Sequence, residues 1–475
     1  MKIENIDINK TIENAKNQIA ADKSLTPALR STFELLILVI NLMSSRFQIN
    51  STNSSKPPSQ DPNRPRKTRL DKGLKRDKKK QGGQVGHTGS TLEKVKNPNE
   101  VEEILINRKT IPPGTYKRVG FETRQIFDIK ISTHITEYRA EILESKNGDQ
   151  YVAKFPANIA KAAQYGNEVK AQSVYMSQFQ LVPLARVGDY FNDQLKLAIS
   201  KGSISNFNRE AFEKLEYFEA WAKEQLLRSP FNHADETGIN LNGERIWLHN
   251  LSNEKVTLYH ADEKRGTEAM DRMGILPFYK GTLCHDHWKP YYKYLAITHA
   301  LCNAHHLREL TFAYEEDGQK WAKKMHTLLN DINDEVKKSK NEILSSKKIK
   351  VYQKQYRTIL SKGKKECPLA DKVEINKGRQ KKSKSRNLLE RLIDFEEDTL
   401  RFMKVSVVSF TNNQGENDLR MTKVQQKISG CFRSMEGARI FCRVRSYLVT
   451  CRKNGVSPTE ALRLLFDGKL PAFIT

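Results

Sequence analysis

Three carboxylates from distant parts of the chain carry the strongest chemical signal. Asp235 lies in FNHADETG (residues 231–238), Asp286 in GTLCHDHW (281–288) and Glu416 in NNQGENDLR (412–420). Two Asp and one Glu brought together can hold two Mg²⁺ or Mn²⁺ ions, because hard cations prefer carboxylate oxygen. Two such ions about 4 Å apart serve phosphodiester chemistry, one activating the attacking oxygen and the other stabilising the leaving oxygen. Taken singly, each residue has a plainer explanation: an Asp beside Gly ends a strand, and an Asn/Glu cluster before a helix is a cap. Taken together, their order, context and the basic charge of the chain favour a site. Glu236 is the nearest rival to Asp235, and Asp418 to Glu416. His233, His285 and His287 crowd the same stretches and could tune the metals or meet DNA. Cys284 and His285 with Cys302 and His305 could instead bind Zn²⁺, or be buried thiols and satisfied imidazoles. Arg420 and Lys427, one to three turns beyond Glu416, could meet phosphates or be ordinary helix-surface charges.

The elements that must position these residues follow from periodicity. Alternating runs predict strands at 232–241, 244–251 and 255–260, a helix at 267–273, a strand ending at Cys284, a short strand at 299–302 and a helix from Ala304. Three hairpin-connected strands, then a helix and a further strand, match the opening of a ribonuclease-H-like α/β domain. The predicted fold is multidomain α+β, with such a core at residues 229–315 plus 400–435. Around it lie a helical N-terminal region (1–50), a basic Pro/Gly-rich linker (51–98) and a small β module (99–160). A helical region (161–228), a Lys-rich helical insertion (316–399) and a helical tail (436–475) complete the chain. The β module is expected from runs at 101–106, 124–131 and 135–142. In the N-terminal helix, Leu25, Leu29, Phe33, Leu36 and Ile40 form a stripe that could pair with a second copy or pack on its own chain. Ser203–Phe212 has the size and polar face of a helix-turn-helix recognition helix, or belongs to an ordinary helical hairpin. A loop is expected from Ser361 to Ser385, and SPTE at 457–460 predicts a helix start.

Charge names the partner class. The chain has 475 residues and a formal net charge of +25, which favours a polyanion, most often nucleic acid. Between Lys56 and Lys80, eleven Lys/Arg face three Asp. This segment stays extended until it meets phosphates. Its candidate DNA contacts are Lys56, Arg64, Arg66, Lys67, Arg69, Lys75, Arg76, Lys78, Lys79 and Lys80. Six cysteines, none before Cys284, fit a reducing cytosol better than a disulfide framework. The N-terminus lacks a signal peptide's basic and apolar regions. The apolar stretch from Phe33 to Met43 falls short of the ~20 residues that span a bilayer. The expected place of work is the cytoplasm.

The motifs SSKPPS (54–59), GGQVGHTG (82–89), QYG (164–166), DET (235–237), HDHWKPYY (285–292), LCNAHHLREL (301–310) and NNQGENDLR (412–420) occur in this order. In that order the chain resembles the large transposase of the insertion sequence 66 family. The resemblance implies a DDE-type enzyme with a ribonuclease-H-like core, acting with Mg²⁺ on the double-stranded DNA of element ends and target. By resemblance, Asp235, Asp286 and Glu416 are its catalytic, metal-binding triad, and Cys302 and His305 pair with the core. It further implies self-association in a synapse and small accessory transposition proteins. Two departures stand out. Such proteins usually carry cysteine pairs for zinc after the Gly-rich motif. Here residues 100–150 have no cysteine, and His134 alone cannot supply four ligands, so no zinc is expected at 99–160. His287 also follows Asp286 where a small residue is usual. The alternative functions are a decayed or domesticated DNA-binding protein without catalysis, and a nuclease of the same fold without strand transfer.

Overall fold

The computed structural model describes residues 2–3, 6–22, 24–48, 50, 53–54, 61, 92–368 and 382–474. The ten candidate contacts from Lys56 to Lys80 and the Gly-rich motif lie outside the described residues. Among the described residues the chain is mixed α and β, with fifteen α-helices around a five-stranded sheet.

The sheet comprises β1 (Phe231–Leu241), β2 (Glu244–Ser252), β3 (Thr257–Asp262), β4 (Thr282–His285) and β5 (Thr298–Leu301), in the order β3-β2-β1-β4-β5. Strands β1 to β3 are antiparallel neighbours, whereas β4 runs parallel to β1 and β5 parallel to β4. Asn242 and Gly243 turn β1 into β2 with φ of 48° and 98°, the pair of positive values a two-residue hairpin needs and Asn-Gly supplies at low cost. Each strand lies within two residues of its predicted span. Alternation sends Leu258 into one apolar cluster and its neighbours Tyr259 and Ala261 into another, so helices cover both faces.

Before the sheet come α1 (Ile8–Ala21), α2 (Pro27–Gln48), α3 (Asn167–Val174), α4 (Leu184–Leu195), α5 (Lys201–Lys214) and α6 (Glu216–Arg228). On α2, Leu29, Phe33, Leu36 and Ile40 are 40–50% exposed, so this stripe is not packed on its own chain among the described residues. Helix α5 starts where Ser200 accepts the Ser203 N–H at 3.0 Å. It buries Ile204, Phe207, Asn208 and Ala211 and leaves Lys201, Ser205, Asn206 and Arg209 in solvent.

Within the sheet's crossover lies α7 (Thr267–Met273). After β5 follow α8 (Asn303–Glu315), α9 (Lys320–Lys338), α10 (Ser346–Glu366), α11 (Lys384–Asp394) and α12 (Glu396–Leu400). These pack together over Cys284 and Ala300 of the sheet. The excursion is closed at its root: the Asn303 N–H donates to Phe410 O at 3.1 Å, and the Asn412 N–H to Cys302 Sγ at 3.1 Å. Last come α13 (Asn413–Ser429), α14 (Met435–Lys453) and α15 (Pro458–Phe466). Ser457 caps α15 by accepting the Glu460 N–H.

Two sequence expectations differ from the structure. The runs at 101–106, 124–131 and 135–142 form no regular strands, and the β structure of residues 92–160 is one hairpin, Ile142–Glu144 with Gln150–Val152. Their alternation finds no second layer to bury against, and Val101, Ile104, Ile126 and Ile135 remain exposed. Secondly, the expected loop from Ser361 begins as helix: α10 continues to Glu366 because Gly363 extends the buried face of Tyr356 and Leu360.

Candidate functional site

Strand register brings the first two carboxylates together. His233 on β1 pairs with Cys284 on the parallel β4. Two residues farther along each strand come Asp235 and Asp286, on neighbours spaced about 4.8 Å. Glu416 arrives from the first turn of α13.

Asn412, just before that helix, fixes its position. Its Oδ1 lies 2.7 Å from His233 Nδ1, and its Nδ2 donates to Ala234 O at 2.8 Å. The amide is therefore the acceptor toward His233, and Nδ1 carries the ring proton. Gly415 packs closely here, since a Cβ would meet the Asn412 side chain at 3.0 Å and press on it. Asn250, opposite Asp235 on β2, donates to Gly415 O at 3.4 Å. One further anchor is Lys423, which donates to Gly238 O at 2.5 Å.

The charges of the cluster are poorly compensated. Asp235 accepts the Glu236 N–H and Asp286 the Trp288 N–H, each at 2.9 Å. Among the described residues neither pairs with a cationic side chain. Burial pushes the Asp235 carboxyl well above the usual range, and the charges of Glu236, Asp286 and Glu416 push it further. Glu416 is flanked by Arg308 at 3.8 Å and by His305 at 3.7 Å. An oxygen-only set of three carboxylates with surplus negative charge fits a hard divalent cation.

Both rivals are engaged elsewhere. Asp418 pairs with Lys453 at 3.1 Å and accepts from Thr257 Oγ1 at 3.2 Å. Glu236, 2% exposed, pairs with Arg265 at 2.7 Å and accepts from Tyr291 Oη at 2.7 Å. The Arg265 guanidinium lies between the indoles of Trp247 (4.6 Å) and Trp288 (4.4 Å), a geometry worth about 0.5–1 kcal/mol per ring when exposed. This cluster ties the segment after Asp286 to the strand carrying Asp235.

The histidines divide by burial. His233 is neutral and structural, its pKa lowered by burial. His285 is fully buried, bonded to Asp286 O and 2.9 Å from His299 Nδ1, and burial drives its pKa to about 3. His287 packs against Phe395 and Tyr292, with its pKa lowered to about 4 by burial. Of the four residues considered for zinc, only Cys302 and His305 come together, with Glu416 as a third donor. Cys284 is instead part of the apolar core. Arg420 and Lys427 are exposed on α13, four and eleven residues beyond Glu416 and so on its side of the helix. The sequence reading missed Asn412, Asn250, Lys423, Arg308 and Arg265. Asn412 alone carried a local signal, its place before the helix.

Among the described residues, no helix is long and apolar enough to cross a membrane. No curated protein matches the chain. Residues 5–93 match a family of unknown function (DUF6444). Residues 162–440, which include all five strands and all three carboxylates, match the transposase IS66 family. That match spans more than half of the sequence, and the chain belongs to the transposase IS66 family, DNA-processing DDE transposases of insertion sequences.

Proposed function

We propose that this transposase cuts DNA at the element ends and joins the freed 3′ hydroxyl to target DNA, with Asp235, Asp286 and Glu416 holding two Mg²⁺ or Mn²⁺ ions. The observation that carries the reading is that Asp235 and Asp286 follow paired residues on neighbouring parallel strands, that the charge of Glu416 is also felt at Asp235, and that neither aspartate pairs with a cationic side chain among the described residues. When bound, the ions supply Lewis-acid activation and charge neutralisation to the phosphodiester. The strand order β3-β2-β1-β4-β5, antiparallel then parallel, supports a ribonuclease-H-like core. Asp235 on the central strand and Asp286 beside it fix one side of the site, and Asn412 holds Glu416 on the other. Arg308 beside Glu416, and the exposed Arg420 and Lys427 farther along the same face of α13, provide cations for the DNA backbone.

Two displacements follow. Water attacks phosphorus at the element end and releases the 3′ hydroxyl. That hydroxyl then attacks a target phosphodiester, so one ester bond replaces another and no covalent protein–DNA link is needed. The basic segment 56–80 and the exposed face of α5 would grip double-stranded DNA. The exposed α2 stripe supports self-association, which lets two ends meet in one synapse. Accessory transposition proteins would complete the assembly at the nucleoid.

The test mixes purified protein, Mg²⁺ or Mn²⁺, a labelled pre-cut element end and plasmid DNA. Joined product from wild type, and none from Asp235→Asn, Asp286→Asn or Glu416→Gln, is expected. Binding without joining, by wild type and variants alike and with the element's neighbouring gene products added, would favour a non-catalytic DNA binder.

A further inference from the structure

We infer that Cys302, His305 and Glu416 form a second, soft-metal site, of the class that takes Zn²⁺, whose occupancy withdraws Glu416 from the two aspartates and switches the transposase off. The inference rests on the reading of Glu416 given above.

Cys302 Sγ, a His305 ring nitrogen and a Glu416 carboxylate oxygen all lie within 4.8 Å of one another. Sγ is 3.9 Å and His305 Nδ1 3.7 Å from the same oxygen, Oε1. In a tetrahedral zinc shell with bonds of about 2.0–2.3 Å, ligand atoms stand roughly 3.3–3.6 Å apart. The two separations from Glu416 therefore exceed such a shell by only about half an ångström, and the sulfur and the imidazole nitrogen lie within 4.8 Å of each other. The donors sit on rigid elements. Cys302 immediately precedes α8 and His305 lies in its first turn, with the His305 N–H bonded to Cys302 O at 3.2 Å. Glu416 is held by Asn412, whose own N–H bonds to Cys302 Sγ. The buried His305 Nδ1 has no hydrogen-bond partner among the described residues, an unusual condition that a ligand would relieve.

Charge and softness agree. A thiolate and a carboxylate bring two negative charges to a divalent ion. Arg308 engages Oε2 and leaves Oε1 facing sulfur and imidazole. Thiolate and imidazole select zinc, whereas the oxygen donors of Asp235 and Asp286 select Mg²⁺ or Mn²⁺. Because one carboxylate serves both sets, filling either weakens the other.

The test is a Co²⁺ titration of the full-length protein, following the near-ultraviolet thiolate-to-cobalt band. We expect one equivalent of band in wild type, displaced by Zn²⁺. Cys302→Ser should lose it, while keeping an acceptor for the Asn412 N–H. His305→Gln and Glu416→Gln should each weaken binding tenfold or more, with circular dichroism verifying their fold. Excess Mg²⁺ should weaken Co²⁺ binding in wild type and not in the Asp235→Asn, Asp286→Asn double variant. No band, or a band that survives Cys302→Ser, overturns the site. A band indifferent to Glu416→Gln and to Mg²⁺ overturns the switch. Failure of wild type to join DNA without zinc would refute the proposed function instead, and leaves the cobalt result to be read on its own.

Discussion

Replacing Arg265 with methionine keeps most of its stem and removes the charge that compensates Glu236. Two hydrogen bonds to Glu236 Oε1, from Nε at 3.1 Å and Nη2 at 2.7 Å, disappear. The Glu236 side chain is 2% exposed, and stranding a buried charge costs about 3–5 kcal/mol. Arg265 itself is 40% exposed and Tyr291 still donates to Oε2, which place the loss near the lower bound. Two indole contacts add about 0.5–1 kcal/mol each. A destabilisation of about 4 kcal/mol is expected, large against the ~5–15 kcal/mol of a typical domain. Urea unfolding in EDTA measures it. The effect should depend on pH. Burial, then the charge of Asp286, already raise the Glu236 pKa while Arg265 opposes them, so its removal raises the pKa further. A carboxyl whose folded pKa exceeds its unfolded value contributes its stability at low pH and loses it as pH rises through the folded pKa. The penalty should therefore be greatest at pH 8 and shrink toward pH 5. Glu236→Gln should rescue much of it, with a coupling of about 2 kcal/mol. A penalty under about 0.5 kcal/mol, one independent of pH, or strict additivity with Glu236→Gln would refute the reasoning.

Three further outcomes are expected. Asp235→Asn should raise Tm in EDTA at pH 8, because it removes a charge held against burial and three neighbouring carboxylates; Mg²⁺ or Mn²⁺ should raise Tm for wild type far more than for the variant. Asn412→Ala should cost about 2–3 kcal/mol in urea, since it leaves His233 Nδ1 and Ala234 O buried without their partner; an equal loss of joining and of stability would show that Asn412 acts only by placing Glu416. Replacing Lys78, Lys79 and Lys80 together with alanine should flatten the log–log salt dependence of DNA binding by about 0.9 for each phosphate no longer neutralised, without favouring one DNA sequence over another.

The core was legible because its signals are local. Alternation sets the strands of the sheet to within two residues. The strands that carry Asp235 and Asp286 were each visible locally, while their adjacency came only with the assumed fold. What stayed hidden depends on partners distant in sequence: Arg265 with Glu236 is 29 residues away, and Asn412 with His233 is 179 away. Nothing near Arg265 marks it as the filling between two indoles. Residues 101–142 misled because alternation reports an amphipathic segment, and whether it pairs depends on a layer the sequence cannot name. The end of α10 was hidden by lysines, which are good helix formers yet read as a charged loop. No local signal showed that the rivals Glu236 and Asp418 pair with Arg265 and Lys453.

The closed root of the insertion has a consequence for how such a chain can change. The 109 residues between Cys302 and Asn412 leave and return at one hydrogen-bonded point, so the excursion behaves as a ring hung on the sheet. The entropy of closing a ring grows only with the logarithm of its size, about 0.6 kcal/mol for each doubling. Residues can be added or removed along its outer rim at little cost and without tugging on Asp235, Asp286 or Glu416. The helices that rest on Cys284 and Ala300 do not share that freedom. Variation in length is absorbed at the rim, where new ways of gripping DNA can be tried, while the root keeps the carboxylates in register.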